Sequence, residues 1–165
     1  MCAEVRRPLG PSLRRAWLGY QRMLDQEMAR RGFSDRAFPN GRVLRFCRAN
    51  SDPTITQIGR ELGVSRQRAA QVVGHLRDEG YVTVTPSATS GKEKVVRITI
   101  KAAEYLAAHA ASARKIERAL ERQLGAESFD ALGHLIENLS GDEDLRMSDY
   151  LRAKRQGGTL RYPEE

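Results

Sequence analysis

The sequence lacks the features of a membrane or secreted protein. No apolar run approaches the roughly 20 residues that a membrane-spanning helix needs. The basic residues near the start have no apolar stretch behind them, which argues against a secretory signal. Two cysteines, Cys2 and Cys47, are too few for a disulfide scaffold or a cysteine-based zinc site. We therefore expect a protein of the cytoplasm that has no membrane partner.

Motifs of catalysis are also missing. The sequence contains no Gly-rich phosphate loop, no nucleophile elbow and no pair of catalytic acids. His75, His109 and His134 are scattered over three expected helices without the close spacing of metal ligands. These absences predict a protein that is not an enzyme and that holds neither a cofactor nor a metal.

Positive charge is abundant and unevenly placed. The chain has 165 residues, the size of one compact domain or of two small lobes that share a core, and a formal net charge of +7. Residues 1–100 carry 18 basic and 9 acidic groups, whereas residues 101–165 carry 10 and 12. This asymmetry favours a front part that meets a polyanion and a back part that meets protein. Most of the basic residues are arginines, which suit contacts to phosphate or guanine, although an Arg-rich proteome would explain that preference equally well.

Apolar periodicity predicts helices on both sides of a central segment. Helices are expected over residues 11–31, 40–50, 102–124 and 127–139. The stripe of the first contains Leu13, Trp17, Tyr20, Leu24 and Met28, and that of the second contains Val43, Leu44 and Cys47. The apolar stripes of the first, third and fourth helices are too many for one small lobe to cover. We therefore expect two chains to pair around a two-fold axis, with packing inside one chain as the alternative.

The central segment has the pattern of a helix-turn-helix. Thr54 and Gln57 form a capping box, Gly63 permits a tight turn, and Ser65 can cap a second helix that ends at Gly80. The second helix would lie in the major groove of DNA with its first residues at the base edges. These candidate contact residues are Ser65, Arg66, Gln67, Arg68 and Gln71. An ordinary helical hairpin with a solvated basic face is the alternative.

A β-hairpin follows this helix and favours a DNA-binding fold over an ordinary helical hairpin. Residues 81–85 and 95–100 are rich in β-branched side chains, and a polar loop over 86–94 joins them. Lys92 and Lys94 in this loop, with Arg97 behind it, are candidates for contacts to the adjacent minor groove or its phosphates. A basic hairpin directly after a recognition helix is typical of a winged helix. The predicted fold class is therefore mainly α with a small β-hairpin wing.

The order of elements over residues 10–140 resembles the MarR family of transcriptional regulators. The matching segments are residues 41–47, 56–64, 72–82 and 96–101. The resemblance implies a homodimer whose terminal helices form the interface and which releases double-stranded DNA when a small aromatic or phenolic effector, or an oxidant, acts on it. The Asp-x-Arg motif that family wings often carry is replaced here by Ser90-Gly-Lys-Glu-Lys94.

This comparison predicts a division of the chain and a cavity. Residues 1–10 would be a flexible tail, 11–36 and 102–140 a helical dimerisation region, 37–101 the winged helix-turn-helix domain, and 141–165 a C-terminal extension. Trp17, Tyr20 and Cys47 are candidates to line an effector pocket. Plain core packing is an equal explanation for the two aromatic residues, and a buried thiol the better one for Cys47. The predicted function is a sequence-specific repressor that binds an inverted-repeat operator, with a winged-helix protein-interaction module as the alternative.

Overall fold

The computed structural model describes residues 8–33, 41–87 and 93–140. These ranges form six helices and one two-stranded antiparallel sheet. In chain order the elements are α1 Leu9–Arg30, α2 Gly41–Ala49, α3 Ile55–Leu62, α4 Arg66–Asp78, β1 Val82–Pro86, β2 Lys94–Ile98, α5 Ile100–Leu124 and α6 Ala126–Ser140. The predicted class, mainly α with a small β-hairpin, is confirmed.

The main core lies where α2, α3, α4, both strands and the start of α5 meet. Its buried residues are Val43, Leu44, Cys47, Ile58, Ala69, Val73, Leu76, Tyr81, Val82, Val96, Ala102 and Leu106. They include the inward stripe predicted for α2, together with Ala69, Val73 and Leu76 of α4. This core fixes the helix-turn-helix and the hairpin as one unit, because both contribute side chains to it.

A smaller core joins α1 to α5. Leu24, Met28 and Ile116 are buried in it, while Glu27 accepts a hydrogen bond from Lys115 Nζ at 2.8 Å and pairs with Arg30. The N-terminal half of the α1 stripe is not covered in the same way, since Leu13 and Trp17 remain 41% and 59% exposed. Within one chain, therefore, only the C-terminal half of the predicted apolar stripe of α1 is buried.

Several element ends differ from the sequence predictions. Helix α1 already begins at Leu9, inside the segment that we expected to be a tail. Helix α5 begins at Ile100 rather than Ala102, because the Thr99 side chain accepts a hydrogen bond from the Ala102 amide and caps the helix. The tail residues 1–7, residues 34–40 and the extension 141–165 lie outside the described residues.

The two strands are also shifted relative to their predicted positions. Tyr81 precedes β1 and is only 1% exposed, and its carbonyl oxygen accepts a hydrogen bond from the Thr99 amide at 3.0 Å. The register pairs Val82 with Ile98 and Pro86 with Lys94. Lys94 is therefore the first residue of a strand and not part of the hairpin loop.

Two general properties of the described ranges bear on function. None of their helices is both long enough and apolar enough to cross a membrane. In the same ranges, no three His, Cys, Asp or Glu side chains come together in an arrangement that could hold a metal ion.

Candidate nucleic-acid interface and cavity

The turn between α3 and α4 is built from local hydrogen bonds. Thr54 Oγ1 accepts from the Gln57 amide at 3.2 Å, and Gln57 Oε1 accepts from the Thr54 amide at 2.7 Å, which completes the predicted capping box. Gly63 ends α3 in the left-handed region, at φ 65° and ψ 32°. Ser65 Oγ then accepts from the Arg68 amide at 3.2 Å and caps α4. The direction of α4 is thus set by residues that sequence analysis identified.

The two helices approach closely at Gly59. A Cβ atom at this position would lie 3.2 Å from the Val64 carbonyl oxygen and 3.4 Å from Ala69 Cβ. The Val64 amide also donates to the Gly59 carbonyl oxygen at 2.9 Å, which closes the turn. A glycine on α3 and an alanine on α4 therefore allow the steep packing of a helix-turn-helix.

The first turns of α4 face solvent. The five predicted contact residues, Ser65, Arg66, Gln67, Arg68 and Gln71, are all exposed, whereas Ala69 between them is fully buried. Arg68 Nη1 donates to Gln71 Oε1 at 3.1 Å, so these two side chains lie side by side on the outer face. The arrangement projects two guanidinium groups and two amides from the protein at the capped end of one helix.

The hairpin places its basic residues in three different situations. Lys92 lies outside the described residues. Lys94 is exposed at the start of β2. Arg97 also lies on β2, but its Nε and Nη2 both pair with the carboxylate of Asp52. Arg97 was predicted as a candidate for contacts to the minor groove or its phosphates, and in the structure its guanidinium pairs with an acidic residue.

Asp52 was not identified from the sequence. It lies in the turn before α3, 45 residues from Arg97, and adopts a positive φ of 54° that non-glycine residues rarely show. Hydrogen bonding from the Arg97 guanidinium lowers the pKa of the Asp52 carboxyl group, and the carboxylate in turn raises the pKa of Arg97. The Val96 amide also donates to the Pro53 carbonyl oxygen at 3.0 Å, so the wing and this turn are joined by backbone as well.

A cavity of about 1090 Å³ lies between α1, α2 and α5. Its aromatic lining residues are Trp17, Tyr20, Phe33 and Tyr105, and its charged or titratable ones are Arg22, Asp25, Arg42, Arg45 and His109. The predicted pocket residues Trp17 and Tyr20 are among them, with stacked rings whose centroids are 6.1 Å apart. The cavity is large enough for a ring compound and combines aromatic walls with a few charged groups.

Cys47 was predicted as a pocket candidate but is not among the residues that line this cavity. Its side chain points into the main core from the face of α2 opposite to Arg45, and it is 6% exposed. Burial raises the pKa of its thiol to about 11. Cys47 is therefore a small apolar core residue of low reactivity.

Most polar residues of the cavity were missed as pocket candidates, among them Arg45, Tyr105 and His109. Burial lowers the pKa of His109, and the nearby Arg45 guanidinium lowers it further. Burial also raises the pKa of Tyr105, whose ring lies 6.2 Å from that of His109. Both shifts favour the neutral forms of these side chains beside the permanently charged Arg45. The sequence placed His109 on an expected helix but could not show that α2 would bring an arginine next to it.

Comparison with known proteins agrees with this arrangement. Residues 32–93 match the sequence model of the MarR family. Over this segment the chain is similar to the MarR family. The matched MarR segment contains the helix-turn-helix and the first strand of the wing. No protein in the curated set of sequences matches the chain.

Solved structures resemble the MarR winged helix together with its flanking helices. The repressor CouR bound to a 23-mer DNA duplex shares 24% identity, with a TM-score of 0.62 over 84% of this chain and 96% of CouR. A mutant of S. aureus MepR bound to an oligodeoxyribonucleotide shares 16% identity, with a TM-score of 0.59 over 84% and 100%. PcaV from Streptomyces coelicolor in complex with its natural ligand shares 15%, with a TM-score of 0.59 over 86% and 98%. At these identities the likeness establishes the fold.

Proposed function

We propose that this protein is a sequence-specific, DNA-binding transcriptional regulator that acts in the cytoplasm as a homodimer and represses from an inverted-repeat operator. One observation carries the proposal: the start of α4 is capped and exposed, and it presents Arg66, Gln67, Arg68 and Gln71 together. The resemblance to DNA-bound CouR and MepR supports it.

The chemistry of this face suits the major groove. An arginine can donate two hydrogen bonds to guanine and a glutamine can pair with adenine in the same two-pronged way, each worth ~1–3 kcal/mol of discrimination between bases. Ser65 at the helix N-terminus can donate to a backbone phosphate. Lys94 and Lys92 would add phosphate or minor-groove contacts from the wing.

Exposed apolar surface supports the dimer. Leu132, Leu135, Ile136 and Leu139 recur at helical spacing on α6 and are 44–61% exposed. Leu124 at the end of α5 and Trp17 on α1 are similarly uncovered. A second copy would bury these side chains and set two recognition helices about one DNA turn apart, which matches an inverted repeat.

The cavity supports a response to an effector. It lies between the helices of the proposed dimer region and the winged helix, so an occupant would contact both. Aromatic walls beside Arg45 and His109 suit a small aromatic or phenolic compound. The related fold of PcaV, solved with its natural ligand, supports this part of the proposal.

Selection of bound sequences from random DNA tests the function directly. We expect enrichment of an inverted repeat, because a two-fold dimer contacts two equivalent half-sites. In a mobility-shift titration on the enriched sequence, Arg66→Ala plus Arg68→Ala should weaken specific binding by roughly 100-fold or more, since two base-reading side chains are lost from each protomer.

The matched control is Arg114→Ala plus Arg118→Ala, which removes two exposed arginines from α5. This variant should bind the operator with nearly unchanged affinity. If no shared sequence is enriched, the winged helix serves as a protein-interaction module instead. Operator affinity that is equal for both double variants would contradict the assignment of α4.

A further inference from the structure

The side chain of Arg42 joins the cavity to the helix-turn-helix. It lines the cavity from the start of α2. Its Nε and Nη2 atoms both donate to Glu61 Oε1 on α3, at 3.1 and 2.9 Å. Both side chains are largely withdrawn from solvent, with 33% of Arg42 and 26% of Glu61 exposed. The same guanidinium therefore borders the cavity and anchors α3.

Glu61 lies at the end of α3 that is joined to the recognition helix α4, so a small displacement of α3 at this point also moves α4. It lies in the last turn of α3, two residues before the Gly63 cap. The Gly63 amide donates to the Arg60 carbonyl oxygen at 3.1 Å, and the Val64 amide donates to that of Gly59 at 2.9 Å. Because these bonds tie the end of α3 to the start of α4, a change in how α3 sits on α2 also moves the face that carries Arg66.

The cavity has an excess of positive charge. Among the described residues, three arginines line it, Arg22, Arg42 and Arg45, against one acidic residue, Asp25. Cations at the edge of an aromatic-lined cavity favour an occupant that carries a negative group on a ring. A carboxylate matches the planar fork of a guanidinium and can accept two hydrogen bonds from it.

We infer that an anionic occupant of the cavity and Glu61 compete for the guanidinium of Arg42, and that this competition is how the occupant loosens the helix-turn-helix. The inference rests on the proposed function for its biological meaning. When the occupant accepts hydrogen bonds from Arg42, the anchor between α2 and α3 is weakened and the two halves of the dimer lose their fixed spacing on DNA. By linkage, DNA and an aromatic carboxylate weaken each other's binding by the same factor.

Ligand binding in the absence of DNA provides the first test. Benzoate, cinnamate and 1-naphthoate are titrated separately into the full-length protein, and binding is measured by calorimetry. The uncharged primary amide of each acid is titrated in the same way for comparison. At least one carboxylate should bind more tightly than its amide. Glu61→Gln should tighten that carboxylate by about three- to five-fold, because Arg42 no longer has a charged competitor. No carboxylate binding, or equal affinity in the wild type and Glu61→Gln, overturns the inference.

Exchange of the two charges provides the second test, on the operator obtained by selection. Arg42→Glu and Glu61→Arg should each weaken operator binding, since each places like charges together. The double variant should recover most of the affinity, because the ion pair is restored in reverse. It should not respond to the carboxylate, since a glutamate now borders the cavity.

Arg48→Glu is the matched control for net charge. Arg48 lies on the same helix, is exposed and is not among the cavity residues, so it reports the general loss of attraction to DNA. A double variant that still releases DNA with wild-type sensitivity to the carboxylate overturns the inference while leaving the DNA-binding function intact. Failure of the wild type to bind any operator contradicts the function instead, and the calorimetric result still decides the competition for Arg42.

Discussion

Arg97 acquires its partner from a distant part of the chain. Asp52 holds the guanidinium from the turn before α3, although the wing itself lacks the acidic residue that the family motif would supply. The positive φ of Asp52 places its carboxylate under β2 at the cost of an unfavourable backbone conformation. The pair therefore joins the wing to the helix-turn-helix and limits the directions in which Arg97 can point.

Asp52→Asn removes the negative charge of this pair and leaves the backbone conformation unchanged, because asparagine also tolerates a positive φ. The variant should melt slightly earlier than the wild type at neutral pH, by roughly a few degrees at most, since Arg97 and Asp52 are 58% and 44% exposed. Pairing lowers the pKa of Asp52 below its ordinary value of 3.8, so its contribution is complete above that pH and is lost as the pH falls through the lowered pKa. Thermal melts from about pH 8 to pH 2 should show the difference disappear only at the acid end. A difference that disappears between about pH 5 and 7 would contradict this assignment.

Cys47 should be nearly inert in the folded protein. With a thiol pKa of about 11, roughly one thiol in a thousand is ionised at pH 8, and burial restricts access as well. Alkylation by iodoacetamide, followed on the Cys47 peptide by mass spectrometry, should therefore be at least about 100-fold slower in buffer than in denaturant. Cys2 in the same sample gives an internal comparison, and rapid native labelling of Cys47 would contradict its placement in the core.

One face of helix α2 could be predicted residue by residue from the sequence, and the other could not. Periodicity correctly assigned Val43, Leu44 and Cys47 to the buried face, because the 3.6-residue repeat is a local property. It could not show that the other face, with Arg42 and Arg45, would border a cavity formed by α1 and α5. That information depends on tertiary contacts, including those of α5 with α1 and α2 more than 50 residues away, for which the sequence carries no local pattern.

At the scale of elements, the α3–α4 unit was the most predictable part of the chain. Its caps are set by residues within three positions of one another, such as Thr54 with Gln57 and Ser65 with Arg68. The strand ends were less predictable, since Tyr81 has high strand propensity but is withdrawn into the core by long-range packing. Local hydrogen bonds can be inferred from sequence, whereas register depends on tertiary contacts.

Two Gly→Ala substitutions should have opposite effects on the stability of this unit. At Gly59 the added methyl group would meet the Val64 carbonyl oxygen at 3.2 Å and Ala69 at 3.4 Å, in a turn that is closed by its own hydrogen bonds. We expect Gly59→Ala to lower the free energy of unfolding by ~1–3 kcal/mol through overpacking. At Gly74 on α4 an added Cβ would meet nothing within 4 Å beyond its own stretch of helix, so Gly74→Ala should raise the free energy of unfolding by about 0.5–1 kcal/mol through helix propensity.

Urea denaturation monitored by circular dichroism measures both changes. The two variants are matched controls for each other, because each adds one methyl group to a helical glycine. Stabilisation by both substitutions would show that the α3–α4 turn can open without strain, and would contradict the close approach at Gly59.

At the scale of the whole molecule, the two cores leave the apolar side chains of α6 exposed. Helix α6 has no buried residue among its described side chains, although its leucines repeat every three or four positions. Such a helix is marginal on its own, since most helical stability in proteins comes from packing of an apolar face. The sequence pattern predicted more apolar stripes than one small lobe can bury. The exposed apolar face of α6 is one of these stripes.

Leu135→Glu should therefore separate the protein into monomers. Leu135 is 61% exposed within one chain, so the substitution costs little in the isolated protomer but would bury a charge in the proposed interface. Sedimentation velocity should show a shift from about 37 kDa, twice the 18.5 kDa of one chain, towards the monomer mass. Operator affinity should fall by roughly 100-fold or more, because a monomer contacts only one half-site.

His134→Glu is the control for this experiment, since His134 lies on the opposite face of the same turn and is itself exposed. It introduces the same side chain without touching the apolar stripe, so both the sedimentation coefficient and the operator affinity should stay close to wild type. If Leu135→Glu remains dimeric, the apolar face of α6 is not where two chains meet, and the spacing of the recognition helices must be set by α1 and α5. If it becomes monomeric but still binds the inverted repeat tightly, the two half-sites are occupied independently, and effector release cannot act through the distance between them.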